Sequence, residues 1–128
     1  MPLLSQALVV DDSRAIRSIL SKILINNGFA VCQAGDGREA LVALEGEARN
    51  LSLLCVDYNM PHVNGIELVR AMRTNPRFAQ IPVIMITTES ELGSMQLAFN
   101  AGVNEYVMKP FTADMVVDKL RLLGALAS

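Results

Sequence analysis

Four polar motifs in this sequence each come directly after a run of apolar residues. Asp11 and Asp12 follow the apolar run at residues 7–10, and Asp57 follows the run at 53–56. Thr87 follows the run at 82–86, and Lys109 follows the run at 106–108. Carboxylates bind hard divalent cations, and a carboxylate oxygen can also attack phosphorus to form an aspartyl phosphate. A lysine ammonium and a threonine hydroxyl can each donate a hydrogen bond to a phosphoryl oxygen. These residue types together predict a site for Mg²⁺-dependent phosphoryl transfer.

The three aspartates would have different roles in such a site. Carboxylates a few ångströms apart repel one another, so a cluster of them either retains protons or binds a cation. Mg²⁺ suits the cluster because this ion usually takes one or two carboxylates, waters and a phosphate oxygen. Asp11 and Asp12 form an adjacent pair that could bind the ion. Asp57 stands alone after its apolar run and is therefore the better nucleophile.

Each motif also has an ordinary structural explanation. An Asp-Asp pair before a helix often caps that helix. Asp57 could lie in a turn, Thr87 could precede a helix, and Lys109 could be a solvated charge. The argument for a site is their joint placement at the ends of predicted strands, in a chain whose pattern independently indicates a parallel sheet.

The apolar runs alternate with segments of helical periodicity, which is typical of βα units around a parallel sheet. The pattern predicts strands at residues 7–10, 29–33, 53–56, 82–86 and 106–108, and helices at 13–27, from 37, and at 65–73, 90–100 and 112–127. We therefore expect an α/β fold with a doubly wound sheet of five parallel strands between two layers of helices. This single domain would occupy residues 1–128, with no effector domain.

The expected fold would bring the polar motifs together. In doubly wound sheets, sites form at the carboxyl ends of the strands, near the point where strand order reverses. The order 2-1-3-4-5 would make the first and third strands neighbours at that point, so that Asp11, Asp12 and Asp57 converge. Thr87 and Lys109, after the fourth and fifth strands, would lie at the same edge of the sheet.

Composition limits the possible partners. The formal net charge is −2, and no cluster of lysine or arginine marks a surface for DNA or an anionic membrane. No apolar run is long enough to span a bilayer, and the first residues lack the features of a secretory signal. We expect a cytoplasmic protein whose partners are proteins, with Cys32 and Cys55 as free thiols.

Four stretches of the sequence match a known family. They are Val-Val-Asp-Asp-Ser at 9–13, Val-Asp-Tyr-Asn-Met-Pro at 56–61 with Asn-Gly at 64–65, Ile-Thr-Thr-Glu at 86–89 and Tyr-Val-Met-Lys-Pro-Phe at 106–111. Together they resemble the receiver domain of bacterial response regulators, and within that family the single-domain, CheY-like regulators of chemotaxis. The resemblance covers the whole chain and implies a flavodoxin-like (CheY-like) three-layer fold.

The resemblance also implies a phosphorylation site. Asp57 would accept a phosphoryl group from the phosphohistidine of a histidine kinase or phosphotransfer protein. Mg²⁺ would be bound by Asp11, Asp12, Asp57 and the backbone carbonyl of Asn59. Asn59 and Glu89 match the positions that tune dephosphorylation in this family.

A switch is implied as well. In the family, phosphorylation draws the residue at Thr87 toward the phosphoryl group, and the aromatic residue at Tyr106 turns into the vacated space. The surface around the fourth and fifth helices then changes its affinity for a partner protein. The Lys109-Pro110 peptide is expected to be cis, since cis peptides are largely confined to proline.

The predicted fourth helix contains no lysine or arginine, so its docking surface differs in charge from that of related regulators. Its apolar residues and a second apolar stripe on the last helix predict contact with a downstream protein, such as a flagellar switch component. The predicted surface consists of Leu92, Met95, Phe99, Tyr106, Met115, Lys119 and Leu122, with Leu126 extending the stripe. The alternative is a mostly buried last helix in which methionine fills a gap. We expect a monomer or a weak dimer that depends on phosphorylation.

Other functions remain open from the sequence. A phosphorelay intermediate or the receiver fragment of a hybrid histidine kinase would share every site residue. A Mg²⁺-dependent aspartyl-phosphate phosphatase or phosphotransferase usually has a second acid two residues after the nucleophile, where this chain has Asn59. An FMN binder would need a phosphate-binding loop after the first strand, where Asp11 and Asp12 would repel phosphate. We therefore expect a signalling protein that turns over no external substrate.

Overall fold

Five parallel strands form a central sheet, and helices cover both of its faces. The computed structural model describes residues 5–125 and gives the strand order β2-β1-β3-β4-β5. The elements are β1 (Ser5–Val10), α1 (Arg14–Asn26), β2 (Phe29–Ala34), α2 (Gly37–Glu45), β3 (Leu53–Val56), α3 (Gly65–Arg73), β4 (Val83–Thr87), α4 (Leu92–Ala101), β5 (Glu105–Met108) and α5 (Ala113–Leu122). The predicted fold class and strand order are confirmed. Within this described part, no helix is long and apolar enough to cross a bilayer.

The two faces of the sheet carry separate apolar cores. On one face, α2, α3 and α4 pack through buried residues such as Ala40, Leu68 and Ala98. On the other face, α1 and α5 pack through residues such as Leu24 and Leu120. Because helices cover both faces, every residue of β3 and β4 is buried, which explains their uninterrupted apolar sequences.

The strand register brings the predicted site residues to one edge of the sheet. β1 and β3 pair in register up to their last residues, so Asp11 and Asp57 follow them on neighbouring strands. Thr87 ends β4, where it pairs with the last residue of β5, and Lys109 comes directly after that residue. The strand order therefore gathers residues that are far apart in the sequence.

Most predicted boundaries differ from the observed ones by one or two residues. The predictions for β3 and α3 match the structure. β1 begins at Ser5 rather than at residue 7, and β4 lies one residue later than predicted, with Thr87 inside the strand. α4 begins at Leu92 rather than at residue 90, because Glu91 is still extended, with φ and ψ of −68° and 136°, and is the N-cap residue of the helix.

The last helix is shorter than predicted. α5 ends at Leu122, whereas the apolar pattern predicted a helix to residue 127. Gly124 has a φ of 69°, and its N–H donates to the Arg121 carbonyl at 3.0 Å while the Ala125 N–H donates to the Leu120 carbonyl at 2.9 Å. These two bonds form a Schellman motif, which ends a helix at a left-handed residue. The prediction for residues 126 and 127 lies outside the described residues.

Candidate functional site

The predicted site residues meet at the carboxyl edge of the sheet. Asp11, Asp57 and Thr87 are buried there, with exposed fractions of 1%, 8% and 0%. Asp12, in contrast, is exposed. Buried carboxylates need partners, because an unpaired charge away from water is costly. The partner here is Lys109, which follows β5.

Lys109 joins two of the three carboxylates. Its Nζ donates to Asp11 Oδ2 at 2.7 Å and to Asp57 Oδ2 at 3.0 Å. Burial lowers the pKa of Lys109, but its hydrogen bonds and charge interactions with the two aspartates outweigh burial and raise this pKa above its ordinary value. Lys109 is therefore a permanent positive charge beside Asp57. The Lys109-Pro110 peptide is cis, as expected.

Burial affects the protonation of the Asp11 carboxyl in the acidic cluster. Burial raises the pKa of the Asp11 carboxyl, and the charge of Asp57 adds to the rise. Hydrogen bonds from Lys109 and from the Ser13 N–H act in the opposite direction, but the net pKa shift is upward. Burial is thus the main reason why the pKa of Asp11 is raised, and a cation bound beside this carboxyl would favour its charged form.

The dimensions of the cluster suit a divalent cation. Asp11, Asp12 and Asp57 each offer one carboxylate oxygen, and these oxygens all lie within 4.8 Å of one another. Around octahedral Mg²⁺ with ligands at about 2.1 Å, adjacent oxygens lie about 3 Å apart and opposite ones about 4.2 Å apart. Small side-chain rotations would therefore bring the three oxygens to ligand distance. The all-oxygen donor set also matches the preference of Mg²⁺.

Backbone contacts shape the turn after Asp57. The Gly65 N–H donates to the Tyr58 carbonyl at 3.0 Å, and the Asn59 N–H donates to Asp57 Oδ1 at 3.3 Å. A Cβ on Gly65 would lie 2.3 Å from the Asp57 carbonyl oxygen, so only glycine allows α3 to begin this close to the end of β3. In the sequence, Gly65 is recognisable as part of a family motif but not by a role of its own. Its place after a helix-capping asparagine was the available signal.

Thr87 and Tyr106 both contact the backbone of Glu89. Thr87 Oγ1 accepts a hydrogen bond from the Glu89 N–H at 3.3 Å, and the Tyr106 hydroxyl donates to the Glu89 carbonyl at 2.6 Å. The Tyr106 ring lies 6.1 Å from that of Phe99, centroid to centroid. Burial raises the pKa of Tyr106 to about 12. These contacts connect the site to the segment that precedes α4.

Four members of the predicted docking surface are exposed apolar residues. Leu92 and Phe99 of α4 are 80% and 44% exposed, and Met115 and Leu122 of α5 are 40% and 71% exposed. The alternative of a mostly buried last helix is therefore wrong. Its inward positions are filled instead by Val116 and Leu120, which are both 0% exposed.

The other members of the predicted docking surface are less accessible. Met95 packs partly against the core, and Tyr106 is buried with its hydroxyl bonded. Lys119 donates to Glu105 Oε1 at 3.0 Å, with 34% of its side chain exposed. Leu126 lies outside the described residues.

Arg17, which is not among the predicted site residues, contacts the backbone of the site. Arg17 Nη1 donates to the Asp11 carbonyl at 2.7 Å, and Arg17 Nε donates to Gln33 Oε1 at 3.2 Å. A hydrogen bond to a main-chain carbonyl leaves no signature in the type of the accepting residue. The only available signal was the position of an arginine six residues after Asp11.

A five-stranded receiver fold with an acidic pocket and a lysine at its carboxyl edge defines the class of protein. Residues 7–121 match the response regulator receiver domain family, so the chain belongs to that family. The chain is 42% identical over 117 residues to the chemotaxis protein CheY1 of Helicobacter pylori, and this alignment covers 91% of this chain and 94% of that protein. It is 40% identical over 114 residues to the chemotaxis protein CheY of Pseudomonas aeruginosa, and this alignment covers 88% of this chain and 90% of that protein.

Solved structures agree with this assignment. The chemotaxis protein CheY4 of Vibrio cholerae superposes with a TM-score of 0.87 at 33% identity, covering 94% of this chain and 99% of that one. A CheY-like receiver domain protein of Methanospirillum hungatei superposes with a TM-score of 0.86 at 28% identity, covering 96% of each chain. The chain is thus a CheY-like response regulator receiver domain, as its motifs predicted.

Proposed function

We propose that the protein is a phosphoacceptor in which Asp57 takes a phosphoryl group from the phosphohistidine of a histidine kinase or phosphotransfer protein. An oxygen of Asp57 would form the new O–P bond while the P–N bond to the donor imidazole breaks. The observation that carries the proposal is the Lys109 ammonium, which bonds Asp57 Oδ2 at 3.0 Å. A charge already in place beside the nucleophile stabilises the phosphoryl oxygens without reorganisation.

In this proposal Mg²⁺ binds to Asp11, Asp12, Asp57 and the backbone carbonyl of Asn59. The 4.8 Å spread of the three carboxylate oxygens supports this assignment. When bound, the ion neutralises negative charge on the carboxylates and on the phosphoryl oxygens. Lys109 supplies the second positive charge. Apart from Asp57, the residues of the pocket take part in no covalent step; they hold the phosphoryl group in place and neutralise its charge.

The proposed switch connects the phosphoryl group to the segment before α4. The Thr87 hydroxyl would donate to a phosphoryl oxygen and would move away from the Glu89 N–H, which it contacts at 3.3 Å. Tyr106, which bonds the carbonyl of the same residue at 2.6 Å, would then change its position. Asn59 and Glu89 flank the pocket along the chain and are the proposed residues that tune dephosphorylation. Both switch contacts converge on one peptide segment, which favours a concerted response.

The proposed output is contact with another protein through the surface of α4 and α5. All described elements belong to one sheet and its helices, so this surface is part of the receiver domain itself. The relatives named for chemotaxis support a role in the control of the flagellar motor, with a flagellar switch component as the target. The chain itself would turn over no external substrate.

A phosphorelay role is the second candidate. The chain is 33% identical over 114 residues to the CAI-1 autoinducer sensor kinase/phosphatase CqsS of Vibrio cholerae, covering 88% of this chain and 16% of that protein. In a phosphorelay, Asp57 would pass its phosphoryl group to a histidine of another protein instead of controlling a motor. The two candidates therefore differ in the protein that binds the phosphorylated state.

The first experiment tests the site. The protein is incubated with Mg²⁺ and a small acyl phosphate, and its intact mass is measured. We expect one added phosphoryl group in the wild type and in Asp118→Asn, an exposed aspartate on α5 that serves as the matched control. We expect none in Asp57→Asn or when the metal is chelated. Equal labelling of Asp57→Asn and the wild type would reject the assignment of the phosphoacceptor.

The second experiment tests the output. Phosphorylated and unphosphorylated protein are immobilised and exposed to a purified flagellar switch component and, separately, to a purified histidine phosphotransfer protein. Motor control predicts that the switch component binds only the phosphorylated state and that Leu92→Asp weakens this binding. Transfer of the phosphoryl group to the phosphotransfer protein without binding of the switch component would instead support the phosphorelay.

A further inference from the structure

Asp12 is the least restrained member of the acidic cluster. Its side chain is exposed, and within residues 5–125 no side chain or backbone group donates a hydrogen bond to its carboxylate. Even so, it offers an oxygen within 4.8 Å of those of Asp11 and Asp57. Since no contact to the carboxylate fixes its position, the backbone on either side of Asp12 matters most, because it sets the direction in which the side chain leaves the chain.

Both peptide groups that flank Asp12 are hydrogen-bonded. The peptide after it is restrained by the Ser13 N–H, which donates to Asp11 Oδ1 at 2.8 Å. The peptide before it is restrained by its carbonyl oxygen, which belongs to Asp11 and accepts from Arg17 Nη1 at 2.7 Å. The Asp11 N–H completes the set by donating to the Ala34 carbonyl at 3.1 Å. The two peptide groups that flank Asp12 are therefore held by the bonds of the Ser13 N–H and of Arg17, and these bonds set the direction in which the Asp12 side chain leaves the backbone.

Arg17 is itself well restrained. It lies in the first turns of α1, whose start is capped by the Ser13 side chain. Its Nε donates to Gln33 Oε1 on β2 at 3.2 Å, which fixes the plane of the guanidinium group. A charge-assisted hydrogen bond from a planar guanidinium group is stronger and more directional than a hydrogen bond between neutral groups. Arg17 thus links α1, β2 and the turn that carries the two aspartates.

We propose that Arg17 is a positioning residue for the metal site. It holds the peptide between Asp11 and Asp12 so that the Asp12 carboxylate is already directed toward the ion, and it does not touch the ion or the phosphoryl group itself. Residues that orient metal ligands from outside typically contribute about 10- to 100-fold in metal affinity. The inference rests on the proposed Mg²⁺ site and adds a residue to it.

The test is a calorimetric titration of Mg²⁺ into the unphosphorylated protein. Arg17→Met retains most of the aliphatic stem and removes the donors, so we expect the dissociation constant to rise about tenfold. Arg17→Lys retains a charged donor but lacks the planar guanidinium group, and we expect its dissociation constant to lie between those of the wild type and Arg17→Met. Lys22→Met removes the same charge from an exposed position of α1 and should bind Mg²⁺ within about twofold of the wild type, since exposed charges are screened.

Two further measurements separate positioning from loss of structure. In the metal-free protein, Arg17→Met should increase hydrogen exchange at the Ser13 amide while amides of the central strand β3 keep their protection. The initial rate of phosphorylation from an acyl phosphate should fall at low Mg²⁺ and recover at saturating Mg²⁺.

The outcomes distinguish this inference from the proposed function. An unchanged dissociation constant in Arg17→Met, or an equal loss in Lys22→Met, would overturn the role of Arg17 and leave the metal site intact. A phosphorylation defect that persists at saturating Mg²⁺ would do the same. Absence of Mg²⁺ binding in the wild type would overturn both.

Discussion

α3 and α4 pack against the same face of the sheet and against each other, yet they are attached in different ways. α3 buries five of its nine residues and begins with a capping box between Asn64 and Glu67. α4 buries only two of its ten residues, and its N-cap residue, Glu91, makes no side-chain hydrogen bond. The helix after Asp57 is therefore strongly anchored, and the helix after Thr87 is not.

The contacts at the two ends of α4 extend this comparison. Its carboxyl end is anchored by α3, since Arg73 Nη2 donates to the Gly102 carbonyl at 2.7 Å and to Asn104 Oδ1 at 3.0 Å. The segment just before α4 is held by the Tyr106 hydroxyl, which donates to the Glu89 carbonyl and forms part of the proposed switch. Because a helix with few buried residues is cheap to displace, the first turn of α4 is the part best suited to move. α3, in contrast, provides a rigid support for the turn that carries Asp57.

The largest expected effect compares a leucine from each helix. Leu68 of α3 is 0% exposed and Leu92 of α4 is 80% exposed. Leu68→Ala should lower the free energy of unfolding by about 3 kcal/mol, because it leaves a cavity in the core. Leu92→Ala should lower it by less than about 0.5 kcal/mol, as is usual for exposed positions. Urea unfolding at equilibrium measures both, and similar losses would break the distinction between the two helices.

The same two helices explain which parts of the structure the sequence predicts. α3 was predicted with its observed bounds because an Asn-Gly pair and regular apolar spacing mark it clearly. The predicted start of α4 was two residues early, because Ser90 is a common capping residue but is not used as one. In the site, Asp57 and Lys109 were predictable from residue type and strand ends. The role of Arg17 was not, because its acceptor is a backbone carbonyl.

The second prediction concerns the helix caps. Asn64→Ala removes the Oδ1 that accepts from the Glu67 N–H at 2.9 Å and should lower the free energy of unfolding by about 1 kcal/mol. Glu91→Ala removes no capping bond and should change the free energy by less than about 0.3 kcal/mol. Thermal or urea unfolding of the two variants gives the comparison. A loss of comparable size in Glu91→Ala would show that α4 depends on a cap after all.

The third prediction concerns the contact that restrains the beginning of α4. Tyr106→Phe removes the bond to the Glu89 carbonyl and should lower stability by about 0.5 kcal/mol, since that carbonyl can then bond to water. Hydrogen exchange in the first turn of α4 should increase while exchange in α3 stays the same. Tyr58→Phe is the matched control and should leave exchange in α4 unchanged. Unchanged exchange in α4 of Tyr106→Phe would contradict the proposed restraint.

The stability difference between the wild type and Tyr106→Phe should also depend on pH. Burial raises the pKa of Tyr106 from 10.0 to about 12, so the folded protein retains this proton at pH values where the unfolded chain has lost it. The contribution of the neutral tyrosine is fully present below pH 10.0 and is lost as the pH rises toward about 12. Urea unfolding across that range should therefore show the advantage of the wild type shrinking. A constant difference would argue against the burial of this hydroxyl.

The smallest effect reverses the comparison by giving α4 the cap that it lacks. Glu91→Asp keeps the charge and shortens the side chain to a length that can accept from the N–H groups of the first turn. Aspartate is among the preferred N-cap residues, so we expect a local gain of about 0.4 kcal/mol, or a factor of about two in exchange protection at Gly93 and Ser94. If the loose start of α4 serves the switch, the variant should also bind its partner less tightly after phosphorylation, although Asp57 is labelled at the normal rate. Tighter attachment without any change in partner binding would show that the weak anchoring of α4 has no part in the response.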